Sequence, residues 1–185
     1  DNGYYSYETV KTDSRVYVLD MDMNMVGSVD GLGINEQIKS ASFSGDMAYI
    51  VTFRQTDPLY AVDLSEPSEP VVLDEFKING FSTYLQSWGD GLLLGFGQDA
   101  DDNGRITGIR MTMFDNSEPD NLKAADEYTW NNIYASDCAE YEKIIGEADT
   151  WYSSAATWDR KALLIAPEKK LIGVPVTKET YTYNE

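Results

Sequence analysis

The pentapeptide Asp63-Leu-Ser-Glu-Pro67 returns as Asp115-Asn-Ser-Glu-Pro119, and Asp74-Glu75-Phe76 returns as Asp126-Glu127-Tyr128, both at an interval of 52 residues. Self-similarity near this period marks a supersecondary unit built several times over, each copy burying its apolar faces against its neighbours. Upstream, Gly45-Asp46 before Ala48-Tyr-Ile-Val-Thr-Phe53 corresponds to Gly89-Asp90 before Leu92-Leu-Leu-Gly-Phe96, at an interval of 44. The later copy therefore carries eight extra residues between its second and third strands, where Gln98-Asp-Ala-Asp-Asp-Asn-Gly-Arg105 stands.

The units read as sheets. Residues 38–43, 48–53, 59–63 and 71–76 form the strands of one; residues 81–86, 91–96, 108–114 and 123–130 form those of the next. Tyr49-Ile-Val-Thr-Phe53 and Leu92-Leu-Leu94 are apolar on both faces, which suits strands sandwiched between neighbouring sheets. Asp57-Pro58 is expected to turn the chain between the second and third strands of the earlier unit, because proline fixes its own backbone angle and biases the residue before it toward extended geometry. Residues 3–10, 15–20 and 25–29 supply a partial first unit. A last unit is expected over 152–157, 162–166, 171–176 and 179–183. Between the last two units, residues 136–148 carry a helical pattern, with Asp137 and Glu140 at capping-box spacing and Cys138, Tyr141 and Ile145 on one face. The expected fold is thus all-β: a propeller-like array of four-stranded antiparallel blades, three full and one partial, with a short helical insertion. The blades fall at about 1–29, 36–77, 81–130 and 151–185, in a single propeller domain or propeller fragment. Closed propellers have four to eight blades. So short an array would leave sheet edges exposed unless strand exchange, a homo-oligomer or the remainder of a longer chain closed it.

Composition then narrows the function. The 185 residues carry a net charge of −18, with 32 acidic residues against 14 basic ones. Such a field repels nucleic acid and anionic membrane and favours cations and basic partners. Histidine is absent, which removes histidine-dependent triads and the usual zinc sites. The one cysteine, Cys138, has no partner for an internal disulfide and reads as a small buried apolar residue. No apolar run is long enough to span a membrane. The chain opens at Asp1 without Met or a signal-like segment, which suggests a trimmed or processed piece of a longer polypeptide.

Tyr49-Ile-Val-Thr-Phe-Arg-Gln-Thr-Asp-Pro58, followed by Val62-Asp-Leu-Ser-Glu-Pro67 and Gly80-Phe-Ser-Thr-Tyr-Leu85, resembles a family of secreted bacterial and archaeal proteins containing a C-terminal β-propeller domain. The resemblance extends back to Val16-Tyr-Val-Leu-Asp20 and forward to Ala162-Leu-Leu-Ile165 and Pro175-Val176. It implies an extracellular or cell-surface propeller of unknown function, and it carries over no catalytic residue.

Two constellations could bear chemistry. Asp99, Asp101 and Asn103 place oxygen side chains at positions one, three and five of a loop; Gly104 stands at six, the Arg105 carbonyl at seven and the Thr107 hydroxyl at nine. This is the first part of a calcium loop, and a structural Ca2+ held by Asp99, Asp101, Asn103, Arg105 and Thr107 would stiffen the long hairpin. Position twelve is Arg110, so the bidentate glutamate is missing. Asp-Asn-Gly is equally a favoured hairpin turn without any metal, and Asp102 is expected to face solvent. The second constellation is aromatic. Trp130, Tyr134, Trp151 and Tyr152, with Tyr141 and Trp158 near them, could form a platform for a sugar ring or a partner's apolar anchor. They could equally pack the insertion against the sheets.

No spacing among the many carboxylates singles out the pair a glycosidase needs, and no catalytic residue is assigned. The leading reading is a non-catalytic extracellular interaction or scaffold module contacting a protein or a surface polysaccharide. The alternatives are a carboxylate-based glycoside hydrolase and a calcium-assisted carbohydrate-binding module.

Overall fold

The computed structural model describes residues 11–53, 56–134 and 149–181. The helix expected at 136–148, the strand at 3–10 and the residues Cys138 and Tyr141 lie outside this set. Two four-stranded antiparallel meanders stand at the centre. One runs β3 (Gln37–Ser44), β4 (Met47–Phe53), β5 (Thr56–Asp63), β6 (Val71–Asn79); the other runs β7 (Phe81–Gly89), β8 (Leu92–Ala100), β9 (Ile106–Asp115), β10 (Lys123–Asn131). A hairpin of β1 (Ser14–Leu19) and β2 (Met25–Leu32) precedes them.

The last segment is built differently from a meander. β11 (Ile133–Tyr134), β12 (Asp149–Ser153) and β15 (Thr177–Tyr181) make a three-stranded sheet, while β13 (Leu164–Ala166) and β14 (Leu171–Gly173) pair separately. The strand expected over 152–157 stops at Ser153 because Ser154 caps a 3-10 turn over Ala155–Thr157. Its hydroxyl accepts the Ala156 N–H at 3.1 Å and donates to the Pro175 carbonyl at 2.6 Å. Asp159 starts a second such turn by accepting the Lys161 N–H at 3.0 Å. Short polar side chains that bond to nearby backbone in this way compete with strand pairing.

Strand periodicity makes three successive cores. On β4, Ala48 and Ile50 point to the β1–β2 hairpin and join Leu32, Tyr60 and Val62. Their alternates, Tyr49 and Val51, point the other way and join Leu59, Ala61, Leu85, Leu93 and Phe114, between the two meanders. On the far side of the second meander, Phe96 and Ile109 pack against Ala156 of the last segment, with Trp130 and Tyr152 beside them. Every second residue of a strand faces the same way. A sheet buried on both sides therefore has to be apolar at both parities, as β4 and β8 are.

The repeated motifs are repeated hydrogen bonds. Asp63 accepts the Ser65 N–H at 2.8 Å and Asp115 accepts the Ser117 N–H at 3.0 Å, so each aspartate closes the turn that follows its strand. The Leu64 N–H bonds to the Asp46 carbonyl and the Asn116 N–H to that of Gly91, so both turns are also tied to the preceding hairpin. At the Asp-Glu pairs the ladder slips by one residue, between Ala61 and Val62 opposite Asp74 and between Ala124 and Asp126. There Asp74 accepts the Glu75 N–H and Asp126 the Glu127 N–H, each at 2.8 Å. A bulge leaves a backbone donor off the ladder, and the aspartate supplies its acceptor. The other oxygen of Asp74 accepts the Leu122 N–H at 2.7 Å, joining the outer edge of one meander to the next. Nearer the first strands, Ser40 donates to the Ser82 carbonyl at 2.6 Å and the rings of Phe53 and Phe81 meet at 4.3 Å.

The turn expected at Asp57-Pro58 needs correction. Pro58 is not in a turn: it lies inside β5, opposite Lys77 of β6. The β4 ladder ends at Val51 and Leu59, so Pro58 sits past the last pair on that side, where proline is tolerated because no donor is required. The extra residues of the second meander lengthen its hairpin. Gln98, Asp99 and Ala100 extend β8 to pair with Ile109, Gly108 and Ile106, and only residues 101–105 turn.

Candidate functional site

The 101–105 turn is closed from within. The Asp101 carboxylate accepts the backbone N–H groups of Asn103 and Arg105, both at 2.9 Å, and its second oxygen meets the Arg105 Nε at 3.3 Å. The Asp101 N–H donates to the Arg105 carbonyl, and the Gly104 N–H to that of Asp101. Gly104 has φ +78°, a left-handed geometry that glycine adopts without cost. The chain builds the same turn between β1 and β2, where the Asp20 carboxylate accepts the N–H groups of Asp22 and Asn24 at 2.9 and 2.8 Å. In both turns these bonds hold the aspartate below the ordinary carboxylate range. The main contributor is the Arg105 backbone N–H for Asp101 and the Asn24 side chain for Asp20.

Asp99 lies deeper. One oxygen accepts the Thr107 hydroxyl at 2.9 Å and the other pairs with Arg110 at 3.0 Å. Arg110 is 8 % exposed and also donates to the Asn79 carbonyl, which locks the extended hairpin onto the connection from β6 to β7. Gly80 follows at φ +79°, where a β-carbon would run into the Gln98 carbonyl. Asp102 is exposed and accepts from the Asn79 amide at 2.8 Å. The five residues expected around calcium are therefore strung along one hairpin, with the Asp99 and Asp101 carboxylates directed at protein donors and the Arg105 carbonyl turned into the hairpin bond. Among the described residues, no three Asp, Glu, Cys or His side chains converge as metal ligands.

The four aromatic residues divide between two faces. Trp130 packs with Phe96 and Tyr152 in the core beyond the second meander and meets the exposed Tyr128 ring edge to face, and the Tyr152 N–H bonds to the Asn132 side chain at 2.8 Å. Tyr134 and Trp151 stand on the opposite, outward face of the last sheet, edge to face with centroids 5.3 Å apart. Register explains the split. Tyr134 is opposite Asp149, which is opposite Tyr181, while Trp151 is opposite Glu179. These five side chains therefore share one face, and the one-residue offset sends Thr150 and Tyr152 inward.

This outward face carries a groove of about 320 Å³ lined by Asp149, Trp151, Glu179 and Tyr181. Trp151 and Tyr181 are 44 % and 53 % exposed. The Tyr181 hydroxyl donates to Glu179 at 3.0 Å, an acceptor that raises the phenol above its ordinary range. The Arg105 guanidinium lies 5.1 Å from the Tyr134 ring centroid, so the 101–105 turn reaches this face. Sequence reasoning missed Tyr181, Asp149 and Glu179. Their only signal was alternation in two short strands far apart in the chain.

Among the described residues, no helix is long and apolar enough to cross a membrane. A family model described as a beta propeller domain matches residues 4–185. An uncharacterized protein of Methanocaldococcus jannaschii is 38% identical over 152 residues, covering 78% of this chain and 24% of its own length. An uncharacterized protein of Archaeoglobus fulgidus is 36% identical over 141 residues, covering 73% of this chain and 22% of its own length. The chain spans about a quarter of the length of these curated relatives. No solved structure matches it. With consecutive antiparallel sheets packed face to face and a family match along nearly its whole length, this chain belongs to the beta propeller domain family.

Proposed function

We propose that the domain is a non-catalytic extracellular interaction or scaffold module that meets its partner, a protein or a surface polysaccharide, on the outward face of the last sheet. The observation that carries this reading is the exposed pair Trp151 and Tyr181, with the half-buried Tyr134, beside Asp149 and Glu179 on one sheet face. Large rigid aromatics hold contact area at low entropic cost, and neighbouring polar groups orient what they hold. Fold alone assigns no activity; the reading rests on this face.

Affinity electrophoresis through gels containing surface polysaccharides, run beside surface-protein binding by interferometry, tests it. Binding that Trp151→Ala abolishes is the expected result. Binding unaffected by that substitution, or release of reducing ends from the polysaccharide, would overturn it. Cell fractionation of the producing organism tests the extracellular location.

A further inference from the structure

The outward face also points to the chemistry of its ligand, an inference that rests on reading it as the contact surface. We propose that the groove between Trp151 and Tyr181 takes an organic cation, an alkylammonium group of the kind carried by a lysine side chain or a quaternary amine.

The lining is suited to positive charge from both of its components. Aromatic faces are electronegative and attract a cation held over them, and Asp149 and Glu179 add two carboxylates to the same groove. Glu179 is held in place by the Tyr181 hydroxyl. That bond uses the phenol's donor, so Tyr181 offers a ligand its ring and Glu179 its charge. A neutral saccharide presents donors and acceptors together and needs both in return; an ammonium presents donors and charge. The same face already holds a cation of the chain's own, the Arg105 guanidinium over the Tyr134 ring. At long range, a net charge of −18 draws cations in and speeds their encounter.

The test is a calorimetric titration of the 185-residue chain, with the tryptophan indole N–H resonances followed by NMR. The probes are choline, its uncharged isostere 3,3-dimethylbutanol, a blocked lysine tripeptide and a neutral oligosaccharide. Choline, the lysine peptide or both should bind several-fold more tightly than the isostere, since the exposed rings and the carboxylates attract the charge that the isostere lacks. The choline and peptide arms separate a free amine from a protein side chain. Binding should weaken with added salt, vanish in Trp151→Ala and fall several-fold in Glu179→Gln. Should Trp151→Ala lose its folded circular dichroism, Glu179→Gln and Trp151→Phe carry the comparison. Equal binding of the isostere, binding unchanged in Glu179→Gln, or no binding of either cation would overturn the proposal. Oligosaccharide binding that depends on Trp151 while neither cation binds would remove the cation and leave the contact surface standing. Loss of every Trp151-dependent interaction, here and in the electrophoresis, would remove both.

Discussion

The two central meanders and the last segment solve the same problem with different neighbours. β3–β6 and β7–β10 have a sheet or hairpin on each side, and their middle strands are apolar at both parities: Ala48, Tyr49, Ile50 and Val51 in one, Leu93, Leu94 and Phe96 in the other. β12 packs one face against the core through Thr150 and Tyr152, β15 is exposed along its length, and together they present Trp151, Glu179 and Tyr181 on the outward face. Burial on both faces leaves room for little but packing. A face without a covering sheet among the described residues can combine aromatic area with charge.

The comparison is broken most directly by removing one aromatic from each region. Phe114→Ala empties the space between the meanders, where the ring is 1 % exposed and meets Phe76 edge to face. It should cost about 3–5 kcal/mol in denaturant unfolding. Trp151→Ala, at a half-exposed position, should cost about 1 kcal/mol or less. Comparable losses would mean that the outward face is a core face and not a contact surface.

A smaller effect is expected at the hairpin. Arg110→Met removes the donor to one Asp99 oxygen and to the Asn79 carbonyl and should cost about 3 kcal/mol, as for other pairs deprived of one buried partner. Asp99→Leu with Arg110→Met should recover most of that loss. A double variant no better than the single one would deny the pair its role in holding the hairpin to the β6–β7 connection.

The turn aspartates sharpen the comparison through pH. Ser65 holds Asp63 below the ordinary carboxylate range, chiefly through its backbone N–H, and Ser117 does the same for Asp115, chiefly through its hydroxyl. A depressed folded pKa stabilises the protein above the unfolded value, near 4, and that contribution disappears as pH falls through the folded value. Melting temperature should therefore decline below about pH 4, and Asp63→Asn with Asp115→Asn, which keep an acceptor but cannot titrate, should flatten the decline. An unchanged profile would show that these turns do not couple to global stability.

The smallest effect is expected from calcium. Melts with calcium and with excess chelator should coincide, because the Asp99 and Asp101 carboxylates already have protein donors. A rise with calcium that Asp99→Ala with Asp101→Ala abolishes would place the ion at this hairpin by linkage.

Much of the fold could be read before any coordinates, and for local reasons. Asp-x-Ser-Glu-Pro and Asp-Glu recur because a turn and a bulge each need an acceptor within one or two residues, so the pattern is written in adjacent positions. The candidate site was legible only in part. Trp151 and Tyr152 are neighbours in sequence and would serve equally as a platform, yet pleating sends them to opposite faces. Tyr181 and Glu179 reach Trp151 across a strand pairing that joins residues nearly thirty apart, and no local pattern announces it.

The repeat period, the parity of the buried strands and the chemistry of the turns are encoded locally, since they follow from contacts within a few residues or from strand alternation. That Pro58 stays in a strand, that the extra residues after Phe96 lengthen β8 and β9, and that Arg110 is spent on Asp99 and Asn79 emerge with the packed sheets. So does the choice of which aromatics face outward. Each of these depends on which strand edge lies opposite and where its ladder ends, and that is set by packing between sheets rather than by the residues on either side.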